Sequence, residues 1–239
     1  MALPTVDRSP RMARGFDRIA DSFPVTVGTG ERFTAAGVYD KLGLMVVLAL
    51  VTGAVGYLTN SEALILLGVF GGLGLALVGI FRPATAKVVA PLYALAEGLA
   101  LGGITAYYAT GDTGIVPLAI IFTAGIFVAA LVVFRSGLVK VTPRFVSLTI
   151  MATFGFLLVF LALALGLPVP GLGNSGALVL IGGIGIVLGV MHLFIDFNYV
   201  QIGEQRGLPA EGEWFGALIL MMSLVFIYLN VLRVLGRRR

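Results

Sequence analysis

The sequence contains no cysteine, only one histidine, and few charged residues: Lys, Arg, Asp and Glu together make up 12% of the chain. Without cysteine there can be no disulfides, thiolate metal sites or cysteine nucleophiles. A catalytic zinc site normally takes three protein ligands, often histidines, so a histidine-rich zinc hydrolase is excluded, whereas an all-carboxylate metal site stays open. The nucleotide-binding motif GxxxxGK[ST] is also absent. Soluble domains contain about 25% charged residues, so the low charge points away from that class.

Long apolar stretches take the place of charge: 59% of the residues are hydrophobic and the mean hydropathy is +1.04. A bilayer core about 30 Å thick needs about 20 apolar residues of helix, and seven stretches meet or approach that length. They cover residues 42–58, 63–81, 88–109, 115–134, 145–167, 176–196 and 214–235. None alternates apolar and polar residues as a membrane β-strand does. The composition predicts an all-α integral membrane protein, with a bundle of seven transmembrane helices over residues 41–236.

The two ends of the chain are predicted to lie outside the bilayer. Residues 1–40 hold several arginines but no apolar run of signal-peptide type, which predicts a cytoplasmic tail. Within this tail, residues 11–23 are compatible with an amphipathic helix on the membrane surface and equally with a disordered segment. Residues 237–239, all arginine, form a basic carboxyl-terminal tail.

Lysine and arginine predict the orientation, because cytoplasmic loops retain them. They occur in the second, fourth and sixth loops and are missing from the first, third and fifth, which puts the amino terminus inside. Seven spans then put the carboxyl terminus outside, against the preference of its three arginines. The alternative is a re-entrant last segment that returns this tail to the cytoplasm. Since topology accounts for the dispersed basic charge, we expect no nucleic-acid partner.

Glycines inside the spans often stand four residues apart, a spacing that lets helix backbones approach closely in lipid. The pairs are Gly68 and Gly72, Gly98 and Gly102, and Gly185 and Gly189. Tight packing of the bundle is the simpler interpretation. The functional alternative is that the smooth glycine face of the sixth helix permits sliding or widening of a pore.

Three ionisable side chains within the spans are candidate functional groups, because charge in hydrocarbon is costly. Glu97 lies near the middle of the third span, either as a hydrogen-bonded acid that fixes packing, through Tyr93, or as a cation or proton site. Asp196 and His192 are four residues apart and share one helix face where the sixth span ends. Asp196 either marks the membrane boundary, with His192 beside it, or stands at the inner mouth of a conduction path and responds to cytoplasmic pH.

A catalytic serine is a weaker candidate. Residues 173–176 read GNSG, which matches the GxSG motif of intramembrane serine proteases. The single histidine follows Ser175 by 17 residues on the same predicted helix, or roughly 25 Å, which is too far for it to act as the base. We therefore expect neither enzymatic activity nor a cofactor.

Three segments are similar to one membrane protein family. They are YALAEGLALGGI in the third span, IDFNYVQ at the end of the sixth, and EWFGALILMMSLVFIYLNVLRVLG in the last. Their order and spacing resemble the Bax inhibitor-1 family, particularly its bacterial branch, over residues 42–235. The resemblance implies a seven-helix bundle with the last helix at its centre. It also implies a pH-sensitive calcium leak through two aspartates that bridge the sixth and seventh helices.

This sequence departs from that pattern at the second aspartate. Asp196 matches the first, but the second position falls near Ser223, and residues 218–235 contain no acid. Related sequences tend to carry a glutamate where this chain has Asn230. The resemblance thus implies a modified gate with one aspartate and a weaker or displaced pH dependence. Asp196 could hydrogen-bond Ser223 or Asn230, or pair with Arg233 if the last helix is re-entrant.

The leading functional hypothesis is a pH-sensitive cation leak channel, for Ca²⁺ above all, in a bacterial cytoplasmic membrane. Asp196 and Glu97 would be transient Ca²⁺ ligands, since hard cations favour oxygen, and His192 would lie beside the path. The alternative is a non-conducting partner or regulator of another membrane protein, such as a protease or a stress-response factor. Its contact surface would be a loop over residues 198–213. A secondary transporter fits less well because the halves show no inverted repeat.

Overall fold

A computed structural model describes residues 17, 19, 21–23, 32–110, 113–165 and 175–236. Its seven long helices are each long and apolar enough to cross a membrane, which confirms the predicted all-α class and the count of spans. They are α1 (Ala35–Thr59), α2 (Glu62–Phe81), α3 (Ala86–Tyr108), α4 (Ile115–Arg135), α5 (Pro143–Ala164), α6 (Ser175–Arg206) and α7 (Gly212–Leu235). A 3-10 turn, Pro83–Thr85, joins α2 to α3. The tail at 237–239 and most of the suggested amphipathic helix at 11–23 lie outside the described residues.

Two helices extend beyond their apolar stretches. Helix α1 begins at Ala35 because Thr34 caps it, its side chain accepting a hydrogen bond from the Gly37 N–H at 2.9 Å. Helix α6 continues ten residues past Asp196 and ends at Arg206, where Gly207 takes a left-handed conformation with φ 63°.

The loop expected over residues 198–213 is therefore wrong, since only residues 207–211 connect α6 to α7. The polar residues after Asp196 show that the surroundings of α6 become more polar there, but the helix itself continues. One face of this extension stays apolar: Val200 and Ile202 are buried, and Gly203 lies against the ring of Phe33. This packing keeps α6 helical beyond its apolar stretch.

Contacts between helices fix their directions. Gly98 lies on Ala49 and Gly102 on Gly53, so α1 and α3 run parallel. Because neighbouring helices alternate in direction, α1, α3, α5 and α7 begin at one end of the bundle, which we call the proximal end. Helices α2, α4 and α6 begin at the distal end. Helix α7 is continuous over 24 residues, about 36 Å, so the re-entrant alternative does not hold.

Helix α7 stands at the centre of the bundle, as the family resemblance implied. It packs against α1, α2, α3, α4 and α6, and Phe226 contacts Phe156 of α5 with ring centroids 5.6 Å apart. Of its most apolar window 67% is buried, the highest share among the seven spans, against 6% for α5.

The glycine pairs confirm the packing interpretation. A Cβ at Gly68 would lie 2.6 Å from the backbone of Ala96 and Ala100 in α3, and a Cβ at Gly102 would overlap the backbone of Gly53 in α1. Backbone atoms cannot move aside as a flexible side chain can. The close approach of α3 to α1 and α2 therefore requires glycine at these positions.

We expect Gly102→Ala to lower the stability of the bundle by about 1–3 kcal/mol, the usual cost of overpacking. Gly74→Ala is the matched control, because a Cβ there meets nothing within 4 Å and alanine favours helix. The measurement is the thermal unfolding midpoint of both variants in one detergent. Equal midpoints for the two variants would contradict the close approach of α3 to α1.

Candidate functional site

The contact between α6 and α7, which we call the α6/α7 seam, collects polar groups inside the bundle. Its side chains come from one face of each antiparallel helix, as spacings of three, four and seven residues require. The members are Asp196, Gly189 and Gly185 of α6 and Ser223, Ile227 and Asn230 of α7. They form three layers that follow one another from the proximal toward the distal end of the bundle.

The first layer is the pair Asp196 and Ser223. The Ser223 hydroxyl donates a hydrogen bond of 2.5 Å to Asp196 Oδ2, and both residues are only 7% exposed. Ser223 is the twelfth of the 24 residues of α7, so Asp196 lies near the middle of the bundle. The expectation that Asp196 stands where its span ends is wrong, because α6 continues past it. A carboxyl group at this depth has an apolar surrounding and one hydroxyl donor.

The second layer is apolar. Ile227 is fully buried, and its side chain lies on Gly189, where a Cβ would overlap it. The ring of Phe226 adds to this layer, 3.4 Å from the same Cβ position. The layer separates Asp196 from the polar groups nearer the distal end.

The third layer is Asn230 with Arg233. Arg233 Nη1 donates to Asn230 Oδ1 at 2.5 Å, and Asn230 Nδ2 donates to the Phe226 carbonyl at 2.8 Å. The Arg233 guanidinium also lies 4.3 Å from the centroid of the Phe160 ring in α5, a cation–π contact. Among the three partners suggested for Asp196, the structure selects Ser223. Asn230 and Arg233 interact with each other instead, because they lie about two and three turns further along α7 than Ser223.

His192 turns from the seam toward α5. Its Nε2 lies 2.8 Å from Thr153 Oγ1, and its ring centroid is 6.5 Å from that of Phe226. The side chain is partly buried and one turn distal to Asp196, so it lies well inside α6 and not at the end of the helix. It joins the sparsely packed α5 to α6 beside the apolar layer.

Glu97 lies apart from the seam. It is the twelfth of the 23 residues of α3, and its partly buried carboxylate rests on Gly72 of α2, where a Cβ would be 2.6 Å from Oε1. Helix α7 packs against both α3 and α6, which have no extensive contact with each other among the described residues. Among the described residues there is also no group of three or more His, Asp and Glu side chains that could hold a metal ion. The two proposed Ca²⁺ ligands, Asp196 and Glu97, are thus not brought together.

A second buried carboxylate, absent from the sequence prediction, lies at the proximal end. Glu213 is 4% exposed and accepts hydrogen bonds from the Thr34 N–H at 2.8 Å, the Thr34 hydroxyl at 3.0 Å and Lys41 Nζ at 2.5 Å. Gly37 allows this approach, because a Cβ there would overlap the carboxylate. We call Glu213, Thr34 and Lys41 the Glu213 cluster. It joins the start of α1 to the start of α7.

These features define a seven-helix membrane protein whose central helix meets α6 at a buried carboxyl–hydroxyl pair. A family model described as Bax inhibitor 1 like matches residues 8–239, and the chain therefore belongs to this family. Comparison with curated proteins found no significant match.

Proposed function

We propose that the protein is a pH-sensitive cation leak channel, with Ca²⁺ as the preferred ion, whose path follows the α6/α7 seam and is gated at Asp196. The observation that carries this proposal is the buried carboxyl group of Asp196 near the middle of the bundle, which accepts a hydrogen bond from Ser223. Ionisable side chains inside a membrane are costly and typically mark ion or proton pathways.

The chemistry of the seam suits a slow leak of a hard cation. Calcium takes oxygen ligands, and one carboxylate together with backbone carbonyls would bind it weakly enough for release. Ser223 is neutral and does not repel an ionised Asp196. Arg233 places positive charge beyond the apolar layer, which disfavours cations there and limits the rate.

Gating follows from the cost of an ionised carboxylate in an apolar surrounding. When Asp196 loses its proton, its charge favours a conformation in which water reaches it. At Gly185 and Gly189 the space beside the α6 backbone is filled mainly by the side chains of Asn230 and Ile227, so a movement of these two side chains lets water enter the seam. Protonation restores the dry, closed state. We therefore expect flux to rise with pH.

We expect Asp196→Asn to abolish the pH dependence and to lower Ca²⁺ flux about tenfold, equivalent to about 1.4 kcal/mol, because the amide mimics the permanently protonated acid. The measurement is Ca²⁺ entry into liposomes containing purified protein, at several pH values. Asp40→Asn is the matched control, since Asp40 is exposed near the start of α1. Glu97→Gln in the same assay tests whether Glu97 also contributes.

Two results would count against the proposal. Flux through Asp196→Asn equal to the parent at every pH would mean that Asp196 is not the gate. No flux above empty liposomes would favour the alternative, a non-enzymatic partner or regulator of another membrane protein. Its contact surface would then be the exposed end of α6 and the short connection at residues 207–211.

We further propose that the protein lies in a bacterial cytoplasmic membrane with its amino terminus inside. The distribution of lysine and arginine among the loops supports this orientation, because the basic loops all lie at the proximal end. The proximal end then faces the cytoplasm.

A further inference from the structure

A second feature lies on the other side of α7, between α1 and α4. This α1/α4 groove has a volume of 820 Å³ and is lined by α1 from Tyr39 to Leu58 and by α4 from Val116 to Leu131. Helices α3 and α7 form its floor. Among the described residues α1 and α4 have no extensive contact, so the groove opens between them toward the lipid.

We propose that the α1/α4 groove binds the acyl chains of an anionic phospholipid, with the phosphate at the proximal end beside Arg135. This inference goes beyond the proposed leak and does not depend on it. The lining of the groove, its length and the charge at its two ends support it separately.

The lining calls for a hydrocarbon ligand, because its threonines are satisfied within the protein. Thr105 Oγ1 donates to the Leu101 carbonyl at 2.5 Å and lies 2.9 Å from the Tyr228 hydroxyl. Thr123 Oγ1 donates to the Ala119 carbonyl at 2.8 Å. These hydroxyls need no partner from a ligand, and the remaining lining is almost entirely apolar. A polar solute would lose its hydration there without replacement.

The groove is long enough for acyl chains that run along the membrane normal. From Tyr39 to Leu58 the groove follows 20 residues of α1, a rise of roughly 28 Å, which is close to the thickness of a bilayer core. Flexible acyl chains can follow such a long apolar lining, and a head group at either end would meet the charge that lies there.

Charge distinguishes the two ends of the groove. At the proximal end the Tyr39 hydroxyl interacts with the guanidinium of Arg135, which is exposed in the last turn of α4. Glu204 also lies near Tyr39, but its carboxylate accepts a hydrogen bond from the Ala35 N–H at 2.9 Å. A guanidinium matches the geometry of a phosphate. At the distal end the flanking loops, residues 60–61 and 109–114, contain no lysine or arginine. An anionic head group is thus favoured only at the proximal end.

The groove and the seam occupy opposite faces of the central helix. Met221, Val225 and Tyr228 of α7 line the groove, whereas Ser223 and Ile227 face α6. Helical periodicity places these two sets about half a turn apart. A variant that fills the groove can therefore leave the seam unchanged, which makes the two proposals separable.

The test is native mass spectrometry of the purified full chain after incubation with phosphatidylglycerol or phosphatidylcholine carrying identical oleoyl chains. Gly43→Trp fills the groove, because Gly43 lines it and has open space above its Cα. Gly125→Trp on α4 is the matched control: it also has open space but does not line the groove. We expect retained phosphatidylglycerol on the parent and on Gly125→Trp, and at least about fivefold less on Gly43→Trp.

A second pair of variants tests the head group. Arg135→Gln should lower the preference for phosphatidylglycerol over phosphatidylcholine about fivefold, the effect of one basic residue at a membrane surface. Arg144→Gln, at an exposed arginine of α5, should leave the preference unchanged. Ala124→Trp fills the groove from α4 and replaces Gly43→Trp if that variant does not fold.

Three results would overturn the proposal. They are equal lipid retention on Gly43→Trp and the parent, equal retention of the two lipids by the parent, and a bound polypeptide that Gly43→Trp displaces. Because the readout is bound lipid, each of these results is independent of whether the protein conducts Ca²⁺.

Discussion

Replacing Glu213 with alanine is expected to lower the free energy of unfolding by about 3 kcal/mol, the lower end of the range for breaking a buried ion pair. The variant leaves Lys41 Nζ and the Thr34 N–H without their acceptor in a region where Glu213 itself is 4% exposed. The Lys41 side chain retains 24% exposure and regains some hydration, which places the effect at the lower end. In a chain of this size the thermal midpoint should fall by roughly 10 °C.

The matched control is Glu211→Ala, because Glu211 is exposed two residues earlier. It should change the free energy of unfolding by less than about 0.5 kcal/mol, as surface substitutions do. Glu213→Gln separates charge from hydrogen bonding, since the amide oxygen can still accept from Thr34 but cannot balance Lys41. If Glu213→Ala and Glu211→Ala unfold at the same temperature, the Glu213 cluster does not stabilise the bundle.

Replacing Ile227 with alanine is expected to raise Ca²⁺ flux about tenfold, a barrier lowered by about 1.4 kcal/mol. Ile227 is fully buried in the apolar layer between Asp196 and Asn230, and an apolar constriction gates by excluding water. Removing three carbon atoms there opens space for water along the seam. Stability should also fall by about 2–5 kcal/mol, as for other large-to-alanine changes in a core.

Leu218→Ala separates gating from general loosening. Leu218 is as fully buried as Ile227, loses the same number of atoms, and contacts Gly79 of α2 on the opposite face of α7. Both variants should lose similar stability in detergent, whereas flux should rise only for Ile227→Ala in the liposome assay. A similar rise of Ca²⁺ flux in both variants would show that any cavity near α7 increases the leak. The apolar layer would then not act as a specific gate.

The number of helices follows from hydropathy because each span must satisfy its own backbone hydrogen bonds in lipid. The length of α6 does not follow, because the chain turns polar at Asp196 while the helix continues. What keeps residues 197–206 helical is a half-apolar face packed on Phe33, from a segment more than 160 residues earlier in the chain. The sequence of α6 alone does not indicate its contact with Phe33.

The candidate site, too, could be predicted only in part from the sequence. The sequence singled out Asp196 as a costly charge in a membrane but left three partners open, because the choice depends on how α6 and α7 align. The short connection at residues 207–211 fixes that alignment and brings Ser223 opposite Asp196. The Glu213 cluster escaped prediction because Lys41 and Glu213 are 172 residues apart and each lies beside an apolar stretch, where an exposed charge is ordinary.

The helix at the centre of the bundle, α7, is also the last of the seven along the chain. Since this helix is the last of the seven to leave the ribosome, the first six enter the bilayer before their common partner exists. During translation the earlier helices can form only their mutual contacts, chiefly those of α3 with α1 and α2. The last helix therefore completes a core that the first six can form only in part, and a chain that stops before Gly212 contains six spans but no centre.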